Sequence, residues 1–171
     1  MEYMFIILVM VLVVTAFLSK KLKTISRNTT HEKQLKYIEE AVFSKKNVMN
    51  ISEGHLYEFL THMIHKYKYP LRVFPQVSLG EILKTESNAA FFSVNSKRVD
   101  FVIAGIDNEP FAVIEYQGAG HYQNNARKRD LIKRISCEKA GIKYFEVPAK
   151  YTGNELKPVI DFFEFIKEKH S

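Results

Sequence analysis

Two carboxylates in this chain stand where a carboxylate is costly. Asp100 interrupts the apolar run 98–104 (RVDFVIA), and Glu115 interrupts 111–116 (FAVIEY). A charge in such a run needs a partner, an edge position or a metal ion. Either acid alone has a plainer reading, alternation onto the solvent face of its strand. Taken together on adjacent strands, the two can converge on one cation. Hard oxygen donors of this kind suit Mg²⁺, which takes one or two carboxylates and completes its shell with water and substrate phosphate.

The residues that follow point to an anion. Gln117 lies two positions beyond Glu115 and so shares its face of the strand. Gly118, Ala119 and Gly120 allow close approach of a phosphate, and His121 is either a proton shuttle, a phosphate contact or an ordinary loop histidine. Arg127, Arg129, Lys133 and Arg134 then crowd the start of the next helix. Helix N-termini favour phosphate.

Positioning these groups requires a set of elements that the pattern predicts. Leu56, Phe59, Leu60, Met63 and Ile64 fall at helical spacing, behind Ser52 as N-cap and ahead of Pro70. Residues 71–79 alternate only in part, and Pro75 marks them as an edge or bulged strand. Residues 85–96 read as a polar loop. The runs 98–104 and 111–116, joined by a turn at Asp107-Asn108, read as a hairpin. A helix over 124–140, with Leu131, Ile132, Ile135 and Cys137 inward, ends at Gly141. Residues 142–147 (IKYFEV) form a further strand, and 155–168 a last helix with Val159, Ile160, Phe163 and Ile166 on one face. The order α, β, β, β, α, β, α predicts an α/β domain, with helices flanking a central mixed sheet.

At this point the chain resembles the PD-(D/E)XK, or restriction-endonuclease-like, superfamily, whose motif is an acid on one strand and (D/E)-x-K on the next in an αβββαβ core. Within it, the chain is similar to an uncharacterised bacterial family of unknown function. Glu53 on the first helix, residues 75–79 (PQVSL), 99–103 (VDFVI), 114–121 (IEYQGAGH) and 129–142 carry the resemblance. It implies that Asp100, Glu115 and the Tyr116 carbonyl ligate Mg²⁺ or Mn²⁺, with Glu53 reaching the same site as an outer ligand or orienter. Gln117 stands in place of the usual lysine, which leaves Lys133 or His121 to supply a positive charge or proton. The implied activity is metal-dependent hydrolysis of phosphodiester bonds, with DNA favoured over RNA and a homodimer allowed. Arg127, Arg129 and Arg134 are the expected nucleic-acid contacts. A catalytically inactive nucleic-acid-binding module on the same fold and a membrane-bound interaction protein are the alternatives.

The N-terminus carries a separate expectation. Residues 3–18 (YMFIILVMVLVVTAFL) hold no charge, Gly or Pro, and Lys20, Lys21, Lys23 and Arg27 follow. That pattern predicts a transmembrane anchor at 1–19, its N-terminus outside, a basic juxtamembrane helix or linker at 20–47, and a cytoplasmic nuclease-like domain at 48–171. A cleaved signal peptide fits less well, because Met1-Glu2 offers no basic residue and Phe17 and Leu18 are bulky. In the juxtamembrane stretch, Leu35, Ile38 and Val42 recur at helical spacing, as a lipid-lying or a spacer helix. The chain is +6 overall, and because Glu2 is the only charge before Lys20 the part beyond Ser19 carries +7. It favours an anionic partner without naming one. A single cysteine, Cys137, excludes an intrachain disulfide and Cys-rich zinc sites.

Overall fold

The computed structural model describes residues 2–118 and 124–169. The chain divides into two compact units, 1–46 and 47–171.

The first unit is α1 (Glu2–Glu40), one unbroken 39-residue helix. Among the described residues no helix is long and apolar enough to cross a membrane. This corrects the expected transmembrane anchor and with it the single-pass location, N-terminus outside and domain in the cytoplasm. The physical reason is length. The uncharged stretch 3–18 rises about 24 Å as a helix, against a hydrocarbon core of about 30 Å. No break separates the apolar stretch from the basic one, and Val42 lies beyond the helix end, fully exposed.

The second unit begins with α2 (Ile51–Tyr67). Its N-cap is Asn50 rather than Ser52. The Asn50 side chain accepts the Glu53 N–H, and Glu53 returns a carboxylate to the Asn50 N–H, closing a reciprocal cap. Leu56, Leu60 and Ile64, one turn apart, are the residues α2 buries. The helix stops at Lys68, in the left-handed region at φ 53°.

Next come β1 (Leu71–Ser78), α3 (Leu79–Ile82), α4 (Asn88–Val94), β2 (Arg98–Gly105), β3 (Pro110–Gln117), α5 (Asn124–Lys139), β4 (Lys143–Pro148) and α6 (Gly153–Lys169). Helix α4 occupies most of the segment expected as a loop. Ser87 caps it by accepting the Ala90 N–H, and Val94 is buried, so tertiary packing overrides its polar neighbours.

The four strands form one mixed α/β sheet in the order β1-β2-β3-β4. The first two pairings are antiparallel and β3–β4 is parallel, the crossover running through α5. Pro75 sits on β1, an edge strand, where a missing N–H is tolerated. Gly141, at φ 76°, turns the chain from α5 into β4.

The sheet separates two apolar clusters. One joins Leu56, Leu60 and Ile64 of α2 with Phe101, Ile103, Ala112 and Ile114 and with Leu156, Val159, Phe163 and Ile166 of α6. The other gathers Leu79, Val94, Val99, Val102, Val113, Cys137 and Ile142. In α5 the orientation differs from expectation. Leu131, Ile132 and Ile135 are exposed at 54%, 39% and 43%, while Cys137 and Ala126 are buried and Asp130, Lys133 and Arg134 are tucked in. Helical spacing identifies a stripe, not the direction it faces, and here a buried Glu115 on β3 draws the polar stripe inward.

Candidate functional site

Strands β1, β3 and β4 run one way and β2 the other, so the ends of three strands and the start of β2 meet at one end of the sheet. Helix α2 turns back into β1, and α5 into β4, so both helices begin at that same end. Asp100 is near the start of β2 and Glu115 near the end of β3. The antiparallel register pairs Phe101 with Ile114. One step further along it, Asp100 faces Glu115, and facing residues share a side of the sheet.

Each acid is held by a separate set of partners. Asp100 Oδ2 accepts the Tyr116 N–H at 2.8 Å, and Oδ1 accepts from Gln76 Nε2 at 3.4 Å. Gln76 Nε2 also donates to Glu53 Oε2 at 3.4 Å. Glu115 is 3% exposed, and its Oε1 accepts from Lys133 Nζ at 2.8 Å. Lys133 Nζ also lies 3.9 Å from Asp130 Oδ1. Burial pushes the Glu115 carboxyl up to about 7; Lys133 opposes that rise, and the Asp100 and Asp130 charges add to it. The same surroundings raise the Tyr144 hydroxyl, chiefly by burial.

Beside the acids opens a pocket of about 620 Å³, lined in part by Gln117, Arg127, Asp130, Arg134, Glu146 and Lys150. Arg134 is engaged within it. Its Nη2 sits 2.6 Å from Glu146 Oε1, and its guanidinium lies 5.1 Å from the centre of the Tyr144 ring. Arg127 and Lys150 are exposed.

The structure thus gathers Glu53, Asp100, Glu115 and Lys133 at one end of the sheet and sets Gln117, Arg127 and Arg134 on the adjoining pocket. Arg129 is exposed on α5 and does not line that pocket. His121 lies outside the described residues. The Tyr116 carbonyl accepts the Gly118 N–H at 3.1 Å. Glu53 has both oxygens committed to Asn50 and Gln76, which suits an orienting role rather than a ligand's. Among the described residues no set of three or more His, Cys, Asp or Glu side chains converges to hold a metal ion. The acid pair supplies two carboxylates and no sulfur or imidazole, a donor set that fits Mg²⁺ with water completing the shell.

Two participants escape a reading of the sequence. Asp130 lies within 129–142, which carries the resemblance, but its residue type and spacing assign it no role. Gln76 lies within the 75–79 stretch of the resemblance, and Pro75 marks that strand as irregular, but neither assigns the amide a role.

The profile of the family described as "Protein of unknown function (DUF2726)" matches residues 45–162. The chain belongs to the DUF2726 family. That span contains every strand and all the site residues above, and leaves α1 outside. An uncharacterized protein of Haemophilus influenzae is 44% identical over 115 residues, 67% of this chain and 60% of its own length. The chain therefore spans under two thirds of that relative's length. An uncharacterized protein of Sinorhizobium fredii is 32% identical over 122 residues, 71% of this chain and 88% of its own length. No solved structure matches the chain.

Proposed function

We propose that this DUF2726 domain is a Mg²⁺-dependent nuclease that hydrolyses phosphodiester bonds of nucleic acid, DNA before RNA. The observation that carries the reading is the pair of acids one step beyond the Phe101–Ile114 pairing, Asp100 on β2 and Glu115 on β3, with a half-buried lysine against one of them. The resemblance of residues 99–103 and 114–117 to the PD-(D/E)XK motif supports it.

Asp100 and Glu115 would hold the cation. Bound Mg²⁺ polarises a scissile phosphate and lowers the pKa of an attacking water. The chain's own residues do the rest. Lys133 brings to Glu115 the charge that Gln117 cannot supply, and an ammonium placed there stabilises charge developing on a phosphate. Gln117 offers a neutral amide to the substrate at the mouth of the pocket. Arg127 and Lys150 line the pocket where the nucleic-acid backbone would pass. Tyr116 fixes Asp100 through its backbone N–H.

The test is cleavage of plasmid and single-stranded substrates by the full chain in Mg²⁺ or Mn²⁺, compared with Asp100→Ala and Glu115→Ala. The proposal expects both variants to lose cleavage, and activity that persists unchanged in them removes the site. A second reading, a binding module without catalysis, draws on Gln117 at the usual lysine position. It predicts salt-sensitive binding of nucleic acid with no response to divalent metal.

A further inference from the structure

Gln76 combines two features that neither strand geometry nor composition requires. Its φ is 56°, in the left-handed region, within β1. Side chains other than Gly, Asn and Asp rarely occupy that region, and when they do the surrounding structure holds them there. The β1–β2 ladder pairs Pro75 with Phe101 and Val77 with Val99, and passes over the step between them, where Gln76 faces Asp100.

We propose that Gln76 is a positioning residue, whose left-handed backbone aims its amide into the gap between Glu53 and Asp100 and thereby sets the Asp100 carboxylate. A primary amide nitrogen carries two N–H donors. One reaches Glu53 Oε2 and the other Asp100 Oδ1, at 3.4 Å each. Asp100 Oδ2 is taken by the Tyr116 N–H from the opposite strand. The carboxylate is therefore gripped from β1 on one side and β3 on the other, and each oxygen keeps capacity for one more partner. Glu53 is itself anchored by the α2 cap, so the amide rests on a fixed support. A neutral donor also suits the position. It brings two like charges together without cancelling either, whereas a lysine there would neutralise the acid that a cation needs. The purpose of the grip rests on the nuclease reading; its geometry does not.

The variants separate backbone from side chain. Gln76→Gly accepts a left-handed φ freely and deletes the amide. Gln76→Ala deletes the amide and leaves the backbone strained. Gln76→Glu keeps the length and replaces the donors with a third charge. In the full chain, amide hydrogen exchange at Tyr116 and Mn²⁺ binding followed by calorimetry are measured alongside thermal unfolding. Gln76→Gly is expected to unfold at a higher temperature than Gln76→Ala, while Tyr116 exchanges faster than in the native chain. Its Mn²⁺ affinity falls about tenfold, the usual loss when a ligand's supporting hydrogen bond is removed, and kcat drops with KM for nucleic acid unchanged. Unaltered Tyr116 exchange in both Gln76→Gly and Gln76→Glu overturns the proposal. Should the native chain bind no Mn²⁺ while Gln76→Gly still loses Tyr116 protection, the nuclease reading fails and the positioning role stands.

Discussion

Lys133 on α5 reaches Glu115 on β3 across 2.8 Å, with both side chains largely out of water at 14% and 4% exposure. This contact links a strand end to the helix that covers it. It also explains why α5 turns its polar stripe to the sheet. A buried carboxylate without a partner is costly, and Lys133 supplies that partner from the helix. Even so, burial prevails over the pair's attraction, since the Glu115 carboxyl remains raised to about 7.

That balance makes stability depend on pH in a definite direction. Glu115 binds its proton more tightly folded, at about 7, than unfolded, at 4.5. The contribution is therefore fully present below 4.5 and is lost as pH rises through 7, by an amount of order 3 kcal/mol. Glu115→Gln stays neutral throughout and keeps Asp130 beside Lys133. Urea unfolding at pH 5 and pH 8 should show the variant gaining on the native chain at the higher pH. A native chain whose lead over the variant is as large at pH 8 as at pH 5 contradicts the raised carboxyl.

The cations of the pocket divide into two kinds. Arg127→Ala and Lys150→Ala should each weaken nucleic-acid binding and reduce the slope of log affinity against log salt by about 1. Arg134 is tied to Glu146 and stacked on Tyr144. Its replacement by Ala should lower the midpoint of chemical unfolding as well. Equal stability of all three variants would remove the distinction.

The reversed orientation of α5 can be checked directly. Ile132→Lys and Ile135→Lys alter exposed positions and should shift stability by no more than about 0.5 kcal/mol. Cys137 is fully buried, and burial pushes its thiol up to about 12. A soluble thiol reagent should leave it unlabelled in the native chain and label it on unfolding. Rapid labelling of Cys137, or collapse of the isoleucine variants, would restore the orientation expected from spacing.

Much of the fold is legible in local pattern because its causes are local. Phe101 to Ala104 and Phe111 to Ile114 are strand residues by type, Gly141 ends α5 by its φ, and Pro75 puts β1 at an edge. Where spacing failed, a distant partner had decided. Residues 88–94 form α4 because Val94 meets a core assembled from Val99, Val113 and Cys137. The anchor expectation failed because, among the described residues, no helix is both long and apolar enough to cross a membrane.

By itself, the sequence determined that two acids would sit on neighbouring strands, that a basic helix would follow, and that helices would flank a mixed sheet. Periodicity and residue type settle these within a few residues of chain. Only the tertiary structure decided that Lys133 would meet Glu115, that Gln76 would bridge Glu53 and Asp100, and that the apolar stripe of α5 would face outward. Each depends on which groups far apart in the chain arrive at one end of the sheet, where a buried charge takes the nearest partner the packing brings to it.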